Sequence, residues 1–177
     1  MFIDECSAYV GLTFNYGRAP SDQRVFDRRP KGKDKKKRAS LIAAISLDKS
    51  NSMAAQSLVV EGTVDRNAFL GYLEFVLLPI LKKGTVIVMD NWTVHHGEEI
   101  RDLVQEFGCE LLYLPTYSPD LNPIEHLFAK VKAVIKKAKP DSIPQLIQSF
   151  CDAVLSVSYQ HILNSVRHCG YNVVEGL

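Results

Sequence analysis

The chain has 177 residues, of which 46% are hydrophobic and 23% are charged, and its formal net charge is +1. This length suits one domain that buries about 70% of the surface of the unfolded chain, and the composition is that of an ordinary globular protein. The near-neutral charge argues against a simple nucleic-acid coat, for which a strongly basic domain is expected. It allows an enzyme that gathers acidic groups in one place and basic groups in another.

Short apolar segments predict two extended pieces near the start of the chain. Phe2 and Ile3 predict the end of a buried strand that places Asp4 at its carboxyl end. In residues 10–16, apolar side chains alternate with small or polar ones, which predicts a second extended segment before the break at residues 17–20.

A basic segment follows, and it separates these pieces from the next strands. Residues 28–38 hold eight basic side chains and one acid, which predicts a solvated loop. Residues 41–47 and 58–60 are predicted strands, and the turn-forming residues 48–52 lie between them.

The rest of the chain alternates between predicted helices and strands. Asp65 is expected to cap a helix that runs to Ile80, because the apolar positions follow helical spacing. The later elements are predicted as a strand over 85–89, a helix over 98–107, a strand over 110–114, a helix that begins at Asn122, and two helices over 143–168. The predicted order is strands first, then alternating helices and strands, and finally helices. This order indicates a mixed α/β layered fold.

The beginning of the chain and its cysteines indicate the compartment. Charge within the first five residues rules out a secretory signal at that point, and the longest apolar run, residues 75–81, is too short to cross a bilayer. The scattered cysteines contain no C-x-x-C pair, which favours a reducing interior. We therefore expect a cytoplasmic protein without membrane contact.

Three carboxylates form the candidate chemical site. Asp4 and Asp90 each follow a short apolar segment, and if those strands are neighbours the two side chains share one crevice. Two close anions repel each other, so a cation is expected between them, and Mg²⁺ prefers such oxygen ligands. Glu125, at the start of a predicted helix, is the third candidate. It also fits a capping box, with Asn122 as the cap and Pro123 in the first helical turn.

The motifs around these acids resemble those of DDE transposases of the mariner superfamily, most closely the bacterial insertion-sequence branch. They are F-I-D-E at 2–5, G-R-A-P at 17–20, V-M-D-N-W-T-V-H at 88–95 and L-P-T-Y-S-P-D-L-N-P-I-E at 114–125. The 34 residues between Asp90 and Glu125 match the family spacing, and C-G-Y at 169–171 also resembles the family. The resemblance covers nearly the whole chain.

The resemblance implies an α/β, RNase H-like mixed sheet flanked by helices, spanning residues 1–171 and followed by a short tail over 172–177. It implies that Asp4, Asp90 and Glu125 bind two Mg²⁺ or Mn²⁺ ions, about 4 Å apart, for in-line displacement at phosphodiesters. It also implies DNA cleavage at transposon ends and strand transfer to target DNA, with no small-molecule cofactor. Asn91 and His95 match family positions and are expected to orient ligands or DNA.

Partner contacts are expected from the basic residues. In mariner relatives a segment in the place of 28–38 contacts the partner subunit and DNA, so a homodimer and phosphate contacts are expected, although a merely solvated run is the alternative. Lys132 lies on a predicted basic helix surface that suits a DNA backbone or only solubility. Trp92 is expected to pack under the site rather than stack on a base. The predicted DNA contacts are Arg28, Arg29, Lys31, Lys33, Lys35, Lys36, Lys37, Arg38 and Lys132.

Relatives carry an amino-terminal helix-turn-helix region that recognises transposon ends, and this sequence holds no counterpart of it. Two hypotheses therefore stand. In the first, the chain is an active, metal-dependent catalytic domain associated with the bacterial nucleoid. In the second, it is an inactive remnant that binds DNA or dimerises with an intact transposase.

Overall fold

A computed structural model describes residues 1–24, 26, 34–48, 53, 56–92 and 95–173, and for residues 34–36 it describes the backbone alone. Within these ranges five strands form one mixed sheet in the order β3-β2-β1-β4-β5. The pairs β1–β2 and β2–β3 are antiparallel, whereas β1–β4 and β4–β5 are parallel. The strands are β1 (Phe2–Val10), β2 (Asp34–Ile45), β3 (Ser57–Glu61), β4 (Val86–Met89) and β5 (Glu110–Tyr113).

Helices cover both faces of this sheet, as the predicted layered fold requires. The helices are α1 (Arg66–Tyr72), α2 (Glu98–Glu106), α3 (Ile124–Ala138), α4 (Ile143–Leu155) and α5 (Tyr159–His168). Helices α3, α4 and α5 pack on the face that carries Cys6, Ala8 and Val10, and α1 and α2 pack on the face that carries Ile3. Across the described ranges, no helix combines the length and apolar character that crossing a membrane requires.

The helix predicted from Asp65 to Ile80 is present, although its geometry changes along its length. The Asp65 carboxylate accepts a hydrogen bond from the Ala68 N–H at 2.8 Å, which caps α1 as expected. The chain then continues as a π-helical turn over Leu73–Leu77 and a 3-10 turn over Leu78–Ile80. Pro79 lacks a backbone N–H, so it cannot extend a regular α-helix.

The prediction that β1 ends at Ile3 is wrong, because the strand continues to Val10 and Asp4 lies inside it. Charged residues are uncommon inside a buried strand, but the side chain of Glu5 is buried against His95, 90 residues away in sequence. The second extended segment predicted over residues 10–16 is also wrong beyond Val10. Gly11 turns the chain with a φ of 81°, and residues 12–16 form no strand.

The prediction of a loop over residues 28–38 is wrong for its last five residues, because β2 begins at Asp34. Residues 34 and 38 pair with Val10 and Tyr9 of β1, whereas β3 reaches only as far as Ala39. Lys37 and Arg38 are exposed. A charge-rich segment can therefore form a strand here because one of its neighbours stops short and leaves the side chains in water.

Candidate active site

The register of β1 against β4 brings the two predicted aspartates together. Ile3 lies opposite Met89 in this parallel pair, so Asp4 and Asp90 follow at the same level of the sheet. Glu125 comes from the first turn of α3. All three side chains line one crevice of about 350 Å³, here called the acidic crevice. The structure thus brings the three candidate residues to one place from three separate elements.

Asp4 is held from two sides. The Glu5 N–H donates to its Oδ1 at 2.7 Å, and the Asn122 Nδ2 donates to its Oδ2 at 2.8 Å. Asn122 is 3% exposed, and its own Oδ1 has no hydrogen-bond partner among the described residues. A buried hydrogen-bond acceptor without a donor destabilises the fold. This oxygen therefore favours binding of a cation, or of a cation-bound water, in the crevice.

The alternative role of Glu125 in a capping box is not found. No side chain caps the start of α3, where Pro123 occupies the cap position. The Asn122 side chain is turned toward Asp4 instead of the helix N–H groups. The Glu125 carboxylate is exposed and lines the acidic crevice. Its position at a helix start still favours a negative charge there.

Asp90 is held by His95, which is fully buried. The His95 Nδ1 lies 2.6 Å from Asp90 Oδ1, and the Trp92 N–H donates to the same oxygen at 3.1 Å. On the other side of the ring, His95 Nε2 lies 3.0 and 3.1 Å from the two carboxylate oxygens of Glu5. A ring with carboxylates at both nitrogens is a double donor, so His95 is the cation between Glu5 and Asp90.

The pKa values follow from these contacts. Burial lowers the pKa of His95, but its hydrogen bonds to Asp90 and Glu5 outweigh burial and raise the pKa to about 10. Burial raises the pKa of Asp90, while the hydrogen bond and charge of His95 outweigh burial and hold the pKa below its ordinary value. Asp90 is therefore ionised, with its Oδ1 occupied by donors.

Asp4 behaves differently, because among the described residues no cation contributes to its pKa. Burial, together with the negative charges of Glu5, Asp90 and Glu125, raises the pKa of Asp4 to about 7, although the Glu5 N–H opposes this. The crevice therefore gathers negative charge that His95, which contacts Asp90, offsets only in part. A divalent cation with oxygen ligands meets this need.

The residues fit a metal without forming a finished coordination shell. Within the described residues, no three His, Cys, Asp or Glu side chains are grouped closely enough to hold one ion. The three acids share a crevice, and both oxygens of Asp4 and Oδ1 of Asp90 already accept hydrogen bonds. Small side-chain rotations, above all of the exposed Glu125, would be needed to bring ligands onto one ion.

Asn91, which was also expected to orient ligands or DNA, lines the crevice together with the aromatic side chains of Trp92 and Tyr117. Asn91 donates from Nδ2 to Thr116 Oγ1 at 3.2 Å. Trp92 is 46% exposed and makes an edge contact with His95, so it packs on the site and also faces solvent. Tyr117 is 97% exposed and adopts a φ of 56°, which is uncommon for a residue other than glycine.

Sequence reasoning missed Glu5 as a site residue and Asn122 as the partner of Asp4. Glu5 stands in the F-I-D-E motif, but alternation along a strand directs it away from Asp4, and only the fold brings His95 between Glu5 and Asp90. Asn122 looked like a helix cap because Pro123 follows it. The length of the third motif was the one signal that could have suggested an additional role.

The predicted DNA contacts are only partly described. Lys37 and Arg38 lie on β2, where Arg38 pairs with Tyr9, about 17 Å along β1 from Asp4. Lys132 lies on α3. Of Lys35 and Lys36 only the backbone is described, and Arg28, Arg29, Lys31 and Lys33 lie outside the described residues. The structure does not bring Arg38 to the acidic crevice.

Comparison with known sequences gives a consistent set of relatives. Residues 1–147 match the family model described as DDE superfamily endonuclease. The chain is 27% identical over 97 residues to the Tcb2 transposase of Caenorhabditis briggsae, covering 52% of this chain and 36% of the relative. It is 27% identical over 118 residues to the Tc1 transposase of Caenorhabditis elegans, covering 62% and 43%. The chain thus spans less than half the length of these curated relatives.

Solved structures show the same architecture. The Mos1 strand transfer complex superposes with a TM-score of 0.70 at 18% identity, over 94% of this chain and 50% of that chain. The catalytic domain of Mos1 mariner transposase superposes with a TM-score of 0.56 at 14% identity, over 98% and 84%. This likeness confirms the RNase H-like fold. These sequence relatives are nematode transposases, so the bacterial insertion-sequence branch stays a prediction.

Proposed function

Because the chain belongs to the DDE superfamily endonuclease family, we propose that it is a transposase catalytic domain that cleaves DNA phosphodiesters at transposon ends and joins the freed end to target DNA. One observation carries the proposal. Asp4, Asp90 and Glu125, from β1, the end of β4 and the start of α3, line a single crevice. Oxygen ligands that converge from three elements suit a pair of hard divalent cations.

The relatives support the substrate and the metal. Complexes of Mos1 transposase contain a left transposon end, and others contain Mg or Mn. We propose the same for this chain, with two Mg²⁺ or Mn²⁺ ions, transposon-end and target DNA as partners, and a homodimer that pairs two ends. The cytoplasmic, nucleoid-associated location and the domain limits at 1–171 stay predictions.

In this mechanism the protein positions oxygens and the metal stabilises charge. Metal ions bound by Asp4, Asp90 and Glu125 would activate the attacking oxygen and stabilise the leaving one. Asn122 fixes the carboxylate of Asp4, and His95 fixes Oδ1 of Asp90, which directs Oδ2 toward ligands. Glu125 is exposed and can adjust to the metal. Asn91 and Trp92 line the crevice where the DNA strand would lie.

The alternative of an inactive remnant is less well supported. A remnant is under no constraint to keep three acids from distant parts of the chain in one crevice, or to bury Glu5 and His95 behind them. The predicted phosphate contacts of the basic segment stay part of the proposal. Replacing Lys35, Lys36, Lys37 and Arg38 with Gln is expected to reduce the log–log salt slope of DNA binding by about 0.9 per lost contact.

The direct test is metal-dependent nicking of supercoiled DNA that carries a transposon end. We expect activity with Mg²⁺ or Mn²⁺ and none with EDTA, and we expect Asp4→Asn, Asp90→Asn and Glu125→Gln each to abolish it while remaining folded. Glu110→Gln, an exposed acid at the start of β5, is the matched control. Nicking by all three variants at the parental rate would refute the assignment.

A further inference from the structure

A second groove, of about 390 Å³, lies between α3 and the segment that follows β1. We call it the aromatic groove. Its walls are Tyr9, Leu12, Thr13, Phe14, Asn15, Tyr16 and Lys136. Neither the family motifs nor the acidic crevice includes any of these side chains.

The aromatic groove exposes two rings to solvent. Phe14 is 46% exposed and Tyr16 is 93% exposed. The Lys136 Nζ lies 5.7 Å from the centre of the Phe14 ring, which is cation–π distance. Adjacent exposed aromatic side chains beside a cation mark a binding surface rather than a core.

The segment that carries these rings is attached to the body of the protein. The Gly11 N–H donates to the Pro140 carbonyl at 2.9 Å, which ties the start of the segment to the end of α3. Leu12 packs against the core on the α3 side of the sheet. The two aromatic rings therefore project from a segment that is anchored to the rest of the fold.

Helix α3 connects the aromatic groove to the acidic crevice. With about 100° and 1.5 Å per residue, Lys132 and Lys136 lie within about 20° of the direction of Glu125, at about 10 and 16 Å along the axis. Lys132 lies near β1, where its charge partly offsets the effect of burial on the pKa of the Cys6 thiol. One side of α3 thus carries Glu125 at the acidic crevice, then Lys132, and then Lys136 beside the two rings.

We propose that the aromatic groove binds unpaired nucleotides of the DNA strand that continues from the phosphodiester at the acidic crevice. Lys132 and Lys136 contact its phosphates, and a base stacks on Phe14 or Tyr16. This inference rests on the proposed function, because it takes the acidic crevice as the place of cleavage.

Spacing and chemistry favour an unpaired strand. At about 3.4 Å per stacked nucleotide, the 16 Å from Glu125 to Lys136 corresponds to about five nucleotides. Stacking on aromatic side chains accepts any base, because every base has a π-face. In a duplex those faces are covered by neighbouring bases, so exposed rings add affinity only where the strand is unpaired.

The test compares two DNA ligands in EDTA, so that it is independent of cleavage. One is a plain duplex, and the other is the same duplex with an eight-nucleotide single-stranded extension. We expect the double variant Phe14→Ala, Tyr16→Ala to weaken binding of the extended DNA by about five- to 150-fold and to leave the plain duplex unchanged. Phe75→Ala, which removes an exposed ring from the segment after α1, is the control.

The lysine side of the groove is tested by a matched pair. Lys136→Gln is expected to lower the log–log salt slope for the extended DNA by about 0.7. Lys137→Gln, about 100° further around α3, is expected to lower it less. A 2-aminopurine scan along the extension should show quenching centred about five nucleotides from the junction, and the Phe14, Tyr16 double variant should lose it.

Equal effects on both ligands, or no effect of the ring variants, would overturn the proposal. In the first case the groove is a general cationic surface, and in the second it serves another partner, such as a peptide. If metal-dependent nicking is observed but the ring variants bind the extended DNA like the parent, the proposal for the aromatic groove is wrong and the proposed function stands. If the variants of the three acids nick DNA at the parental rate while the ring variants still weaken binding, the proposed place of cleavage is wrong instead.

Discussion

At the scale of single residues, Asp4 makes the stability of the protein depend on pH. Its pKa is raised to about 7 by burial and by neighbouring negative charges. Because the folded-state pKa exceeds the unfolded one, the unfolded chain loses this proton first. The contribution of Asp4 to the free energy of unfolding therefore falls as pH rises from about 4 to about 7 and is constant above, whereas the contribution of His95, whose pKa is raised to about 10, falls between about pH 6.5 and 10. The full shift corresponds to about 4 kcal/mol.

We predict that Asp4→Asn, in EDTA, raises the free energy of unfolding at pH 8 by about 2–4 kcal/mol and removes most of the slope between pH 4 and 7. Asparagine keeps the shape and carries no charge that burial would penalise. Urea unfolding at a series of pH values measures this, with Asp102→Asn on the exposed side of α2 as the control. A variant with the parental slope would show that another group causes it.

Glu5 acts at the same scale, behind the proposed metal ligands. We predict that Glu5→Gln weakens Mn²⁺ binding by about 10- to 100-fold, as loss of a partner behind a metal ligand commonly does. It should also destabilise the fold by about 3–5 kcal/mol, since it leaves His95 with one carboxylate. Calorimetric Mn²⁺ titration measures the first effect, and the chemical shifts of the His95 ring protons report its loss of a partner.

Glu61→Gln, at the exposed end of β3, is the matched control for Glu5→Gln. If Glu5→Gln destabilises the protein but binds Mn²⁺ like the parent, Glu5 supports the fold and not the position of Asp90. Glu5→Asp separates the two further, because it restores the charge and shortens the reach toward His95.

At the scale of elements, Asn122 joins the start of α3 to β1. We predict that Asn122→Ala and Asn122→Ser cost a similar 1–3 kcal/mol, because both remove the donor to Asp4. Serine is among the best helix caps, so a capping role would let it restore stability. Thermal unfolding of the two variants, with Ser158→Ala, which removes the side-chain cap of α5, for comparison, distinguishes a link between α3 and β1 from a helix cap.

The sequence was sufficient for elements with strong local patterns. Asp65 with the apolar positions after it predicted α1, and the alternation of elements from 85 to 168 was confirmed. Prediction from the sequence failed where a contact with a residue distant in the sequence determines the local structure. Polar residues such as Glu5 in β1 and Lys37 in β2 look like loop signals until His95 and the short neighbouring β3 are known. Likewise, the acids were visible as motifs, but the contacts that orient them were not.

At the scale of the whole molecule, the described helices have their apolar faces committed to the sheet. Reading a DNA sequence requires an element placed in a groove with side chains on base edges. Within the described residues the partly exposed cations Lys132 and Lys136 suit phosphates, which position a protein without specifying a sequence.

We therefore predict that this chain alone binds duplex DNA weakly and without sequence preference, with a Kd on the order of 10⁻⁴ to 10⁻⁶ M near physiological salt. Fusing a relative's helix-turn-helix region upstream of Met1 should introduce a preference for that relative's ends. Competition between terminal repeats and shuffled DNA of equal length measures it. A preference above about a hundredfold by the unfused chain would contradict the prediction.

The contacts that orient the acids also determine when, during synthesis, the acidic crevice is completed. Asp4 meets Asn122 across 118 residues and Glu5 meets His95 across 90, whereas β1 finds β2 within a much shorter loop. Long-range pairings close late, since the chain entropy of closing them is lost before their contacts form. A nascent chain that has emerged only as far as β5 holds two of the three acids and lacks the helix that supplies the third. The acidic crevice, and with it the proposed cleavage activity, is therefore completed only after α3 has been made and Asn122 has reached Asp4.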